Sequence, residues 1–266
     1  MSNYHLNVGV ISRAKGGSIT RSVSYICGKN LRDSYSGKHF YNYRNDVLYN
    51  YTFLPNHAPP IFYNLQVLCN AIDQSERYVT ARTAREFKCS LPNELEIEEL
   101  KQIVKEFVEK NFVAYNLCAI AAIHEGKNKD DPSKNNPHVH IIVSTRFVET
   151  EGFGKKDREH NKNEYMYIWR KEWADVQNRA YERNHLVERV SHHSLEVQGI
   201  DREPTIHLSL ADWQKEKRGE RTIAGDKKRE IEARNKEKEQ QRMKKLEQEK
   251  ERELKKGLDK ILFRYR

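Results

Sequence analysis

Residues 135–146 constrain the fold most strongly, because they place two histidines at the start of an apolar run. His138 and His140 are separated by Val139 and followed by Ile-Ile-Val. A short run rich in β-branched residues predicts a β-strand. Side chains two positions apart in a strand lie on the same face, so both imidazoles are expected to point to the same side of the sheet.

A third histidine lies at the end of another apolar run. His124 closes the segment that begins at Leu117. If the two runs pair as neighbouring antiparallel strands, three imidazoles converge, which favours a divalent metal site with open positions for a substrate. The alternative interpretation is a strand end whose histidines are satisfied by ordinary polar contacts.

The charge distribution predicts two regions. Residues 211–266 contain 20 Lys and Arg and 13 Asp and Glu, whereas residues 1–210 contain 28 and 26. The last segment therefore reads as a basic, charged helical tail without a heptad of apolar residues, and a coiled coil is not expected. Such a tail suits a polyanion such as nucleic acid, although a solvated helix without a partner fits the pattern nearly as well.

The cysteines and the apolar runs indicate an intracellular protein. The four cysteines are far apart and form no CxxC pair, so a thiolate zinc site is not expected. Reduced, buried thiols are typical of cytosolic proteins. The chain begins without an apolar signal core and has no run long enough to span a membrane, so we expect a cytoplasmic protein.

The remaining pattern predicts an α/β fold of the α+β type, with a central antiparallel sheet flanked by helices across residues 1–210. An aromatic-rich connection over 32–60 and a polar loop over 125–136 are expected to be irregular. In the last predicted helix, Trp169 and Trp173 belong to an apolar stripe and are expected in the core. The expected strands cover 4–12, 86–91, 117–124 and 138–143, and the expected helices cover 18–27, 61–81, 93–111 and 164–184.

The metal pattern alone leaves the reaction open, because three neutral histidines also suit zinc hydrolases. The best candidate for a nucleophile is Tyr25, on the short helix that follows the first strand. A tyrosine hydroxyl ordinarily has a pKa near 10 and needs activation by a nearby cation or base. With 14 tyrosines in the chain, a structural role is the simpler interpretation of any one of them taken alone.

Four segments in this order resemble one known family. Together they resemble the MobA/MobL family of plasmid mobilisation relaxases, within the HUH endonucleases, over about residues 1–210. The segments are His5-Leu with Ser22-Val-Ser-Tyr25, then Ala84-Arg-Glu-Phe87 with Leu91-Pro92, then Ile123-His124 with Asn136-Pro-His-Val-His140 and Ser144-Thr-Arg146, and finally Trp169–Asn178 with 198–208.

The resemblance implies an enzyme that attacks a phosphodiester of single-stranded DNA with a tyrosine. The tyrosine becomes joined to the 5′-phosphate and a 3′-hydroxyl is released. Matched by position, Tyr25 is the nucleophile and His124, His138 and His140 hold the metal, with Mg²⁺ or Mn²⁺ as the working ion. Glu86 matches an acidic residue near the site. It would orient a ligand histidine or accept the tyrosine proton, unless it is a strand glutamate paired with a neighbouring cation.

The resemblance also implies partners. These are single-stranded plasmid DNA at the transfer origin, accessory mobilisation proteins and a conjugative coupling protein, in a bacterial cytoplasm. An HUH replication initiator or transposase, and a non-catalytic DNA-binding protein, remain alternatives. Candidate phosphate contacts are Arg13, Lys15, Arg21, Lys29 and Arg32, and candidate base-stacking residues are Tyr35, Phe40, Tyr41 and Tyr43.

Overall fold

The computed structural model describes residues 4–128, 131, 132 and 135–264, apart from the side chains of 210, 251 and 253–264. The chain divides into two compact units, Met1–His192 and His193–Arg266. Residues 193–209, which we predicted to close the first domain, thus group with the second unit. The predicted polar loop 125–136 includes residues 129, 130, 133 and 134, which lie outside the described residues.

The first unit is built on a five-stranded sheet in which the strands run in the order β1-β5-β7-β6-β4. All four neighbouring pairs are antiparallel. Two short hairpins, β2–β3 and β8–β9, lie outside this sheet. The strands are β1 Leu6–Ser12, β2 Leu31–Arg32, β3 His39–Phe40, β4 Val47–Phe53, β5 Arg82–Ser90, β6 Ala119–His124, β7 His138–Ser144, β8 Arg146–Glu149 and β9 Gly152–Lys156.

Helices cover both faces of the sheet, because the central strands are apolar on both sides. On one face, alternate residues of β6 and β7 pack with α3 Ile97–Asn111 and α4 Glu164–Arg183 in one buried cluster. On the other face, the intervening residues pack with α1 Ile19–Cys27 and α2 Leu65–Gln74. The predicted α/β fold with a central antiparallel sheet is therefore confirmed.

The pairing on which the metal hypothesis depends is present. Strands β6 and β7 are antiparallel neighbours, and His124 stands directly opposite His138. Strand β5 alternates in the same way, since Phe87 and Cys89 are buried in the cluster with α3 and α4. Trp169 and Trp173 are buried in the same cluster, as expected from their spacing on α4.

Two local predictions were wrong. The helix expected over 61–81 is a short 3-10 turn followed by α2, which ends at Gln74. Beyond it the chain turns so that carbonyl oxygens of Asp73, Glu76 and Tyr78 accept hydrogen bonds from Arg13. The connection expected to be irregular over 32–60 contains β4, which forms an edge of the main sheet.

The second unit is mainly helical, in agreement with the prediction of a charged helical tail. It contains α5 Leu210–Lys217 and α6 Ile223–Arg264. Exposed ion pairs join α6 to the segment before α5, such as those of Arg234 with Glu203 and Lys238 with Asp201. Across the described part of the chain, no helix combines the length and the apolar character that a membrane span requires.

Candidate active site

Three imidazoles converge on the face of the sheet that α1 covers. His124 ends β6, and His138 and His140 begin β7. Each of the three offers one ring nitrogen such that these nitrogens lie within 4.8 Å of one another. The convergence follows from the register: His124 is opposite His138, and His140 lies two residues further along the same face.

A hydrogen bond engages one nitrogen of each ring, so that the other ring nitrogen remains to coordinate a metal ion. His124 donates from Nε2 to the carbonyl oxygen of Ile26 at 2.8 Å. His138 donates from Nδ1 to the carbonyl oxygen of Asn136 at 2.8 Å, and His140 from Nδ1 to Glu86 Oε1 at 3.1 Å. The atoms left are His124 Nδ1 and the Nε2 atoms of the other two rings, the arrangement that metal-ligating histidines adopt.

Burial favours the neutral form of His124 and His138, which is the form that binds a metal. His124 is fully buried, and burial lowers its pKa to about 4. Burial also lowers the pKa of His138. His124 Nδ1 is buried without a hydrogen-bond partner among the described residues. An unpaired buried nitrogen costs about 1–3 kcal/mol, so this atom fits a site that a cation completes.

Glu86 contacts this cluster from the neighbouring strand. It lies on β5, which pairs with β7, and its carboxylate accepts the hydrogen bond from His140. Although burial opposes its ionisation, that bond and the charge of Lys88 keep the pKa of Glu86 below its usual value. An ionised carboxylate here fixes the tautomer of His140 and points its Nε2 at the other two rings. This contact supports the orienting role, one of the two roles expected for Glu86, which remains a proposal.

Tyr25 lies on α1, next to the residue that contacts His124. Ser18 caps the start of this helix by accepting from Arg21 N, and Gly28 ends it in a left-handed conformation with φ 61°. The last carbonyls of a helix have no partner within it, and Ile26 supplies one of them to His124. Tyr25 is 53% exposed, so a substrate can reach this residue from solvent.

Two functional candidates were missed in the sequence. Arg44 places its guanidinium carbon 4.6 Å from the centre of the Tyr25 ring. Its Nε donates to Asp46 Oδ1 at 2.8 Å, and Asp46 Oδ2 lies 3.9 Å from His124 Nδ1. The hydrogen bonds from Arg44 lower the pKa of Asp46 to about 2. No sequence signal marked these residues, since they lie in the segment predicted to be irregular.

The basic residues predicted to contact DNA divide into two groups. Arg13 is held inside the protein: its side chain is 6% exposed and forms an ion pair with Asp73 at 2.9 Å. We therefore withdraw it from the candidate set, because its guanidinium already bonds three backbone carbonyls of the turn after α2. The remaining four, Lys15, Arg21, Lys29 and Arg32, are exposed around α1.

A cavity of about 500 Å³ adjoins Tyr25. Tyr41 and Tyr43 follow β3 and are 76% and 92% exposed, whereas Arg13 stacks on Tyr35. The His39 and Tyr41 rings stack on one another at 5.9 Å between centres. The structure thus places three of the predicted residues, Arg21, Phe40 and Tyr41, beside Tyr25 in one cavity. The cavity is lined by Arg21, Ser22, Tyr25, His39, Phe40, Tyr41 and Asn42.

Comparison with known proteins identifies relatives among mobilisation proteins. A model described as the MobA/MobL family matches residues 17–218. A probable mobilization protein MobA of Bifidobacterium longum (strain NCC 2705) is 30% identical over an alignment covering 79% of this chain and 44% of that protein. Mobilization protein A of Escherichia coli is 29% identical, covering 88% of this chain and 33% of its own length. The chain thus spans less than half the length of these two relatives.

One solved structure is similar over most of the chain. It is described as "Molecular Basis of Vancomycin Resistance Transfer in Staphylococcus aureus" and is 26% identical, with a TM-score of 0.65. The alignment covers 72% of this chain and 98% of the other.

Proposed function

Because this chain belongs to the MobA/MobL family, we propose that it is a DNA relaxase that nicks single-stranded DNA at a plasmid transfer origin. The observation that carries the proposal is the convergence of three imidazole nitrogens within 4.8 Å, beside the helix that bears Tyr25. A nucleophile alone, or a metal cluster alone, is compatible with many reactions. Their adjacency favours transfer of a phosphoryl group to the tyrosine.

In the proposed reaction the Tyr25 oxygen attacks the scissile phosphorus. A bond forms between this oxygen and phosphorus while the bond to the 3′-oxygen breaks. The phenolic proton leaves to solvent or to a nearby base, and the departing 3′-oxygen takes up a proton to become a hydroxyl. The DNA remains joined to Tyr25 through its 5′-phosphate, so the reverse reaction reseals the strand.

His124, His138 and His140 are the residues that would hold a divalent cation, Mg²⁺ or Mn²⁺. Such an ion, when bound, would attract a phosphate oxygen of the substrate and stabilise the negative charge that develops on it. Glu86 keeps His140 in the ligating tautomer through the 3.1 Å contact with Nδ1. Because all three ligands are neutral imidazoles, the bound ion would keep its full charge for the substrate.

The exposed cations around α1 suit the phosphate backbone of a DNA strand that enters the site. Lys15, Arg21, Lys29 and Arg32 are proposed to contact phosphates, and Tyr41 and Tyr43 to stack on unpaired bases. Phosphate contacts give a salt-dependent affinity without sequence readout, while stacking requires single-stranded DNA. Accessory mobilisation proteins and a coupling protein are proposed partners of the complex formed on the DNA.

The test is a covalent-adduct assay with the full chain. The protein is incubated with Mn²⁺ and an oligonucleotide that spans the transfer origin of its own replicon, and then resolved under denaturing conditions. We expect a protein–DNA adduct that retains label from the 3′ side of the nick, with release of the 5′-side fragment bearing a 3′-hydroxyl. EDTA should abolish it.

Tyr25→Phe should give no adduct, whereas Tyr63→Phe should match the unchanged protein. Tyr63 is a fitting control because it is 57% exposed, close to the 53% of Tyr25, and lies outside the site. The proposal fails if the unchanged protein forms no adduct on its own origin, or if Tyr25→Phe still forms one. Binding without any nicking would favour the alternative of a non-catalytic DNA-binding protein.

A further inference from the structure

Arg44 occupies a position between the proposed nucleophile and the histidine cluster. Its guanidinium carbon lies 4.6 Å from the centre of the Tyr25 ring. Its partner Asp46 reaches to 3.9 Å from His124 Nδ1. One arginine–aspartate pair thus connects Tyr25, the proposed nucleophile, to His124, a proposed metal ligand.

The guanidinium has little freedom to leave this position. Asp46 accepts from it with both carboxylate oxygens, at 2.8 Å for Nε and 2.5 Å for Nη2. Two-point contacts of this kind hold the plane of a guanidinium as well as its location. The backbone of Asp46 is itself anchored, since its carbonyl oxygen accepts from Glu125 N, immediately after His124, at 2.9 Å.

The backbone of Arg44 is also closely packed, against Gly28. A Cβ added at Gly28 would lie 3.2 Å from both N and Cβ of Arg44. Gly28 ends the helix that carries Tyr25. Arg44 therefore contacts this helix twice, with its guanidinium at the Tyr25 ring and with its N and Cβ atoms at Gly28. Nearby, Asn42 donates to Ser24 Oγ at 2.7 Å and joins the same segment to the buried face of α1.

Tyr25, by contrast, has few restraints of its own. Its side chain is 53% exposed, and an exposed tyrosine changes rotamer on the picosecond to nanosecond scale. A planar cation over the ring face attracts the ring, and this attraction favours one orientation of the side chain. The hydrogen bonds that Arg44 donates to Asp46 are the chief cause of its raised pKa, and Tyr25 raises it further, so the contact involves a charged guanidinium.

We infer that Arg44 is a positioning residue that holds the Tyr25 phenol beside the histidine cluster, braced by Asp46. This inference rests on the proposed function, in which Tyr25 attacks the phosphodiester. It predicts that Arg44 acts on the rate of attack and not on the affinity for DNA. A misplacement of about 1 Å costs about 100-fold in rate, which sets the size of the effect.

The first measurement is independent of nicking. The full chain is labelled with 3-fluorotyrosine, and the ¹⁹F resonance of Tyr25 is assigned by its absence in Tyr25→Phe. Arg44→Ala should shift and narrow this resonance as the ring gains freedom. Arg179→Ala, which removes an exposed arginine paired with Glu106 on another face of the fold, should leave it unchanged. An unaltered Tyr25 resonance in Arg44→Ala overturns the inference whatever the activity.

The second measurement is the single-turnover rate of adduct formation against oligonucleotide concentration. Arg44→Ala should lower the maximal rate by about 100-fold, with the half-saturating concentration within threefold of the unchanged protein. Arg44→Lys keeps the charge without the planar fork and should recover part of the rate. Methylguanidinium added to Arg44→Ala should restore several-fold activity, but none to Tyr25→Phe.

The outcomes separate the two proposals. If the unchanged protein forms no adduct, the proposed function fails, while the fluorine spectra still decide whether Arg44 holds the ring. If the adduct forms through Tyr25 and Arg44→Ala reaches the same maximal rate, only the role of Arg44 fails. A raised half-saturating concentration with an unchanged maximal rate would assign Arg44 to DNA binding instead. Should Arg44→Ala not fold, the Arg44→Lys rate and spectrum decide.

Discussion

His124 joins the histidine cluster to the helix of the proposed nucleophile, because its Nε2 donates to the carbonyl oxygen of Ile26 at 2.8 Å. The bond satisfies a carbonyl at the end of α1 that the helix cannot satisfy itself. It also commits Nε2 as the protonated nitrogen, so His124 faces the other two imidazoles with an unprotonated Nδ1. One contact therefore sets both the tautomer of a proposed metal ligand and the position of α1 relative to the sheet.

The full chain is expected to bind Mn²⁺ through the three imidazoles, in the absence of DNA. Titration calorimetry should give one site per chain. His138→Ala and His140→Ala should each reduce the affinity by at least tenfold, because two nitrogens remain of the three within 4.8 Å. Saturating Mn²⁺ at 100 times Kd should stabilise the unchanged protein by about 2.7 kcal/mol, measured as a rise in Tm.

His185→Asn is the matched control for these histidine variants. His185 is exposed and has φ 56°, a conformation that asparagine tolerates better than most residues. It should bind Mn²⁺ as the unchanged protein does. Equal affinity in His138→Ala, His140→Ala and His185→Asn would refute the metal site.

Glu86→Gln is expected to weaken Mn²⁺ binding by about 10- to 100-fold while leaving the three ligands in place. The amide cannot hold His140 in its tautomer as an ionised carboxylate does, although it keeps the size of the side chain. Calorimetric titration of the variant measures the loss. Glu172→Gln, which neutralises a carboxylate of α4 paired with Lys110 of α3, should not change the affinity. If both variants bind equally well, Glu86 has no orienting role.

The histidine cluster could be predicted because it depends on a short-range rule. Residues two apart in a strand share a face, and the apolar runs around His124 and His138 are long enough to identify both strands. The pairing of neighbouring strands then completed the site. Glu86 entered through the resemblance, and its alternation on β5 agreed with that placement.

Arg44 and Asp46 were missed because they precede a strand that was assigned to an irregular connection. Strand β4 alternates tyrosine with polar residues and ends in Phe53, a pattern that favours a strand, and it pairs with β6 on one side only. Its register places Val47 opposite His124 and so brings Asp46 to the cluster. Arg13 was misassigned for a related reason: proximity to Tyr25 in sequence does not reveal that its side chain turns inward to Asp73.

Gly28→Ala should destabilise the protein and slow adduct formation. Gly28 has φ 61°, which costs an alanine about 1 kcal/mol, and the new Cβ would lie 3.2 Å from Arg44 N and Cβ. Gly37→Ala is the control, because its φ is 70° and no atom lies within 4 Å of an added Cβ. Both should lower Tm through backbone strain, but only Gly28→Ala should lower the rate. Equal rates in the two variants would show that the contact between Gly28 and Arg44 has no effect on the rate of adduct formation.

Asp157→Asn should cost about 3–5 kcal/mol in the free energy of unfolding, because it leaves a buried cation without its partner. The Nη2 atom of Arg85 lies 3.1 Å from Asp157 Oδ2, and the two side chains are 5% and 0% exposed. Lys110→Ala, which breaks a pair in which the lysine is 59% exposed, should cost less than about 1 kcal/mol. Denaturant titration at neutral pH measures both.

The pH dependence of the Asp157→Asn effect has a definite sign. Burial opposes the ionisation of Asp157, but the hydrogen bond from His160 and the charge of Arg85 outweigh it and lower its pKa in the folded protein. A carboxyl whose folded pKa is depressed contributes stability above its unfolded pKa, near 3.9, and loses that contribution as the pH falls through the folded value. The difference in stability between the unchanged protein and Asp157→Asn should therefore be constant from pH 7 to about 5 and shrink below about 4. A difference that grows on acidification would contradict an ionised Asp157 in the folded state.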